Sequence, residues 1–73
     1  MREPKRDNWT QTLYWEVTGK FADTRSRVEL DPETGDVSLI GIPSEMSMGT
    51  ARQVAQGILH AYDYYYNVIE EKS

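Results

Sequence analysis

Residues 48–70 read MGTARQVAQGILHAYDYYYNVIE, with no proline and one interior glycine, Gly57. A single long helix follows directly, because proline is the residue that helix interiors exclude. Ser47 stands as its N-cap with Met46 as the apolar staple, although Thr50 and Gln53 sit at the same capping spacing one turn later. Four of the five residues from Tyr62 to Tyr66 are tyrosines, and His60 is the chain's one histidine. At about 100° per residue with Ile58 as centre, Ala51, Val54, Ala55, Tyr62, Tyr65 and Ile69 share one face. Arg52, Gln53, Gln56, His60, Asp63 and Asn67 lie opposite. Tyr62 and Tyr65 are thereby assigned to the core, Tyr66 joins Met48 and Leu59 on a boundary row, and Tyr64 points to water near His60.

Upstream of the helix the periodicity changes from helical to two. Trp9, Leu13, Trp15 and Val17 fall on one parity, while Thr10, Thr12, Tyr14, Glu16 and Thr18 fall on the other. Aromatic and β-branched residues in that pattern predict a strand with one buried face, and Phe21 is expected to fold back onto the same core. A second run, residues 25–31 (RSRVELD), sets Ser26, Val28 and Leu30 against Arg25, Arg27 and Glu29. It leads into DPETGD, residues 31–36, which has the proline and glycine chemistry of a short hairpin loop. The third strand is VSLIGI, residues 37–42. Pairing Val28 and Leu30 with Val37 and Leu39 puts all four on the helix side. Ile40 and Ile42 then share the outer parity unless Gly41 marks a bulge.

The fold read from these elements is α+β, a three-stranded antiparallel meander packed on one long C-terminal helix in the order β-β-β-α. Residues 1–7 read as a flexible polar tail and 8–73 as a single domain. A chain of 73 residues buries only about 60% of its unfolded surface, so the core is small and a partner or a second copy would add to it. There are no cysteines, which removes disulfides and thiolate metal sites. No apolar run approaches the roughly 20 residues of a membrane span, and the N-terminal residues lack the apolar stretch of a secretory signal. A cytoplasmic setting is expected.

Chemistry-bearing patterns are sparse. His60 has Asp63 and Tyr64 at helical spacing, but one imidazole and one carboxylate fall short of a metal site. There is no thiol, no nucleophile elbow and no glycine-rich phosphate cradle. DPETGD lacks the length and the terminal glutamate of a calcium loop, and Glu70 with Glu71 reads as a solvated pair. No catalytic residue, metal, cofactor or small-molecule substrate is therefore expected. The net charge of −4 argues against attraction to phosphate backbones, although Lys20, Arg25 and Arg27 cluster with other bases before residue 30.

Within residues 41–65, GIPSEMSMGTARQVAQGILHAYDYY, Ser47, Ala51, Arg52, Ala55, Ile58, Leu59, Ala61 and Asp63 form a pattern. It resembles the C-terminal segment of small proteins of actinobacteria and their phages that lack an assigned activity. The resemblance implies a small phage-encoded or host accessory protein, in the host cytoplasm if phage-encoded, and it carries over no functional residue. The tyrosines at 62, 64, 65 and 66 depart from that pattern and suggest an added contact surface.

The expected function is a non-catalytic protein-interaction module, a modulator or inhibitor of a host protein or a self-associating homodimer. Its expected contacts are Met48, Leu59, Tyr64 and Tyr66 on the helix, with Tyr14, Ile40 and Ile42 on the sheet. The alternative is a DNA-binding domain using the exposed sheet face, with Lys20, Arg25 and Arg27 on phosphates.

Overall fold

The computed structural model describes residues 2–70, so Glu71 of the terminal carboxylate pair lies outside the described residues. Four strands, β1 (Lys5–Asp7), β2 (Thr12–Glu16), β3 (Arg27–Leu30) and β4 (Val37–Ile40), precede helix α1 (Met48–Tyr64). The helix runs on into a π-helical turn, Tyr65–Ile69. The strands form one antiparallel sheet in sequential order. The α+β class, the antiparallel sheet and the single C-terminal helix follow the sequence reading, but the sheet has four strands and not three.

The additional strand comes from the segment read as a tail. Lys5, Arg6 and Asp7 show no apolar alternation, and the turn behind them carries no glycine. The Asp7 carboxylate accepts the amides of Trp9 (2.9 Å) and Thr10 (3.3 Å), and the Asp7 carbonyl accepts the Gln11 amide at 2.8 Å. Gln11 closes the turn at φ +62°, a left-handed conformation that glutamine seldom adopts. The turn lifts Trp9 out of β2, and its ring is 94% exposed instead of lying in the core. Phe21, at φ +70°, is likewise exposed under the Lys20 ammonium and does not fold back.

Register decides which side chains meet the helix. Trp15 pairs with Val28 and Val28 with Leu39, while Leu13 pairs with Leu30 and Leu30 with Val37. All six share one face. The expected hairpin forms at residues 31–36, with the Gly35 amide donating to the Asp31 carbonyl (2.8 Å) and the Asp31 amide to Asp36 (2.9 Å). Gly41, at φ +63°, resets the parity, so Ile40 points outward while Ile42 packs on the core. The Ser47 hydroxyl accepts the Thr50 amide at 3.2 Å and caps α1.

The buried face of α1 differs from the expected one by a rotation. Its buried residues are Thr50, Val54, Gly57 and Ala61, not a face centred on Ile58. Size explains the shift: the helix comes nearest the sheet where its side chains are smallest. A Cβ built on Gly57 would stand 2.8 Å from Val28 Cγ2, so Val28 occupies the space a side chain would need. Turned this way, the helix swings Tyr64 inward onto Trp15, edge to face with ring centroids 6.0 Å apart. It swings Tyr62 outward to 61% exposure. The assignments of Tyr62 to the core and Tyr64 to water are both reversed, and Ile58 is exposed. Tyr65, also assigned to the core, is half-buried, its ring lying against Gly35 of the hairpin. Beyond Tyr64 the π-helical turn replaces the continuous α-helical rod, so angles counted at 3.6 residues per turn no longer hold there.

Candidate interaction surface

One helix does not cover four strands. Adjacent strands lie about 4.8 Å apart, so the outer two stand ~14 Å from each other, against a helix diameter of about 10–12 Å with side chains. α1 packs over β3 and, to a lesser extent, β2. Val37 and Leu39 of β4 point to the same side as the buried Val28 and Leu30, yet they are 43% and 49% exposed.

The flank of α1 above β4 is apolar as well. His60 and Tyr64 lie against Trp15 of β2, and Gly57 lies on Val28 of β3. Residues rotated the other way from Gly57, namely Ile58 and Tyr62, therefore face the β4 side, with Leu59 and Met48 further round toward solvent. All four are exposed. Tyr62 contacts Tyr66 (4.9 Å between centroids) and Tyr66 meets Tyr65 edge-on (5.3 Å), so three rings close the hairpin end of this face. The negative charge of Glu70 beside Tyr65 holds its hydroxyl above the usual phenol range.

Of the contact residues expected from sequence, Met48, Leu59, Tyr66 and Ile40 are exposed. Tyr64 and Ile42 instead pack on the core. Tyr14 lies on the opposite sheet face beneath the Arg27 guanidinium, 4.5 Å from its ring centroid. Sequence reasoning missed Ile58, Tyr62, Val37 and Leu39 as surface residues. The available signal was the row of small residues at Thr50, Gly57 and Ala61, which marks the true buried face.

The outer sheet face is a network of ion pairs. Arg27 is held by Asp7 at 3.0 Å and by Glu29 at 2.6 Å, and Lys5 pairs with Glu16. The amides of Trp9 and Thr10, with Arg27, hold the Asp7 carboxyl below the usual carboxylate range. Lys5 lowers Glu16 in the same way, and Glu16 raises Lys5. On the β2 side of the helix, a cleft of about 110 Å³ is lined by Arg2, Trp15, Glu16, Gln53, Gln56 and His60. Arg2 closes it: its amide donates to His60 Nδ1 (3.3 Å) and its carbonyl accepts from Trp15 Nε1 (2.7 Å). His60 is thus half-buried and stacked on Trp15, not a freely solvated histidine. Among the described residues, no group of three or more His, Asp or Glu side chains is placed to hold a metal ion. Nor is any helix there long and apolar enough to cross a membrane.

No protein-family model, curated protein or solved structure matches this chain.

Proposed function

We propose that this chain is a non-catalytic protein-interaction module whose contact face is β4 together with the adjoining flank of α1. One observation carries the reading: the inner side of β4 and the helix flank beside it are apolar and exposed together. Contiguous apolar surface of this kind is uncommon on monomers and marks sites of association. The composition fits, since tyrosine and methionine are enriched where proteins meet and charged side chains are depleted at the centre of such patches. Val37, Leu39, Ile58, Leu59 and Tyr62 bring no charge to it.

Nucleic-acid recognition by the outer sheet face is the weaker reading. Arg27 is already engaged by two carboxylates and Lys5 by a third, which leaves a face of alternating sign in place of a phosphate-binding track.

The test replaces Tyr62 with a photoreactive phenylalanine analogue and irradiates the protein in a lysate of the organism that encodes it. Cross-linking to a protein, lost with Leu39→Lys and retained with Tyr14→Ala, is the expected outcome. Cross-linking that Leu39→Lys leaves intact removes β4 from the contact, and no cross-linked protein at all defeats the reading.

A further inference from the structure

The partner that fits this face best is another copy of the same chain, and we infer that two copies join β4 to β4 about a two-fold axis through Ser38. This rests on the reading above that β4 and the α1 flank form the contact face. The backbone supplies the first argument. Val17 donates to Ser26 on the β2 side of β3, and Asp31 donates to Asp36 on the β4 side. Antiparallel ladders alternate bonded and non-bonded pairs. Hence Glu29 with Ser38 and Arg27 with Ile40 exchange hydrogen bonds, while the N–H and C=O groups of Val37 and Leu39 point out of the sheet at its free edge.

An isologous antiparallel pairing must match outward-pointing groups with outward-pointing groups. Val37 opposite Leu39 of the second copy does so, with Ser38 facing its own counterpart as a non-bonded pair. Pairing Val37 with Ile40 fails, because the Ile40 groups are engaged with β3. Leu39 opposite its own counterpart would also match but leaves Val37 facing the turned Gly41, whereas Val37 opposite Leu39 engages both residues of each copy and keeps them on one side. The apolar faces then merge, and both helices stand on the same side of an eight-stranded sheet.

Side-chain size supplies the second argument. In that arrangement the two β3 strands stand three strand spacings apart, about 14 Å, and each carries α1 above it. Directly packed helices approach to about 8–10 Å. A gap of this width is bridged by long side chains, and the flank turned toward it carries Ile58 and Tyr62, whereas the sheet-facing side carries Thr50, Gly57 and Ala61.

Charge supplies the third argument. Strand β4 itself carries none, and the two-fold brings the exposed acidic turn of each copy, Glu33 and Asp36, to the Gly41 end of the other. There Arg25 is exposed beside Gly41. Asp23 stands at that end too, joined to Gly41 through the Ser26 hydroxyl, so what favours the joint is the strand: β4 brings no like charges of its own to it.

The chain has no cysteine, which makes directed cross-linking clean. Facing non-bonded residues have Cα atoms about 4.5 Å apart, within disulfide range. Under mild oxidation Ser38→Cys is expected to give a covalent dimer far faster than Arg52→Cys, which sits on a remote helix face. Light scattering of the unmodified chain should show a mass of two chains at high concentration. Leu39→Pro, which deletes an outward amide but is tolerated at a free edge, should return it to one chain with an unchanged circular dichroism spectrum. Monomer mass from micromolar to millimolar concentration, with Ser38→Cys no faster than Arg52→Cys, overturns the pairing. So does a dimer that cross-links through Arg52→Cys instead. In either case a foreign protein cross-linked through position 62 keeps the broader reading with another partner, and absence of any such product ends both.

Discussion

At one edge of the sheet β1 carries Lys5, Arg6 and Asp7; at the other β4 carries Val37, Ser38, Leu39 and Ile40. The first is short and charged and is fastened sideways, Lys5 to Glu16 and Asp7 to Arg27. Charges on a free edge oppose addition of another strand, because pairing would strip them of water. The second edge has no charge on the strand and presents apolar groups on both sides. Two strands that both stand at a sheet edge are thus equipped for opposite outcomes, one to end the sheet and the other to extend it.

The difference breaks most visibly at two leucines on the same face. Leu30 is fully buried and Leu39 is half-exposed. Leu30→Ala should cost about 2–5 kcal/mol in chemical denaturation, a large part of the stability of a domain this small. Leu39→Ala in dilute solution should cost about 1 kcal/mol or less. Equal losses would mean that β4 is as well covered as β3.

A smaller effect tests how the hairpin leading into β4 is tied to the helix end. Gly35 adopts φ +79°, and a Cβ there would stand 2.9 Å from the Tyr65 ring. Gly35→Ala should lower stability by about 1–2 kcal/mol from the left-handed backbone alone. It should also move the Tyr65 ring resonances, and unchanged Tyr65 shifts would separate the two.

Acidity and alkalinity should distinguish the edges without any mutation. Asp7 and Glu16 have folded values below the ordinary carboxylate range, so their pairing contributes above that range and is lost as pH falls through it toward the folded values. Lys5 is raised above the ordinary 10.5, so its contribution is present below that value and is lost as pH rises through the folded one. Amide chemical shifts of β1 should therefore move at both extremes, while at the alkaline extreme those of β4, which has no titratable side chain, stay fixed. Simultaneous movement of β4 would show that the edges are coupled. The smallest expected effect is Trp9→Ala, within about 0.5 kcal/mol, because that ring is almost wholly in water.

How much of this was legible in the sequence depended on whether local chemistry or packing decided the point. The Ser47 cap, the hairpin at residues 31–36, the inner and outer parities of β2 and β3, and the parity reset at Gly41 all follow from residues acting on their own neighbours. β1 was not legible, since none of its three residues is apolar and its turn uses a left-handed glutamine. The rotation of α1 was hidden for another reason. Counting angles weights large apolar residues, whereas the approach of helix to sheet is set by small ones, and Gly57 against Val28 outweighed Ile58. The same rotation changed the helix part of the contact surface: Ile58 and Tyr62 entered it and Tyr64 left it. The π-helical turn adds a phase change that a constant pitch does not contain.

The two tryptophans sit at opposite extremes, Trp15 at 2% exposure and Trp9 at 94%. Their fluorescence is therefore divided, with Trp15 emitting from a site shielded from solvent and Trp9 from water. A soluble quencher will silence Trp9 first and leave an optical gauge of the interior, so unfolding can be followed in the native chain without an attached dye.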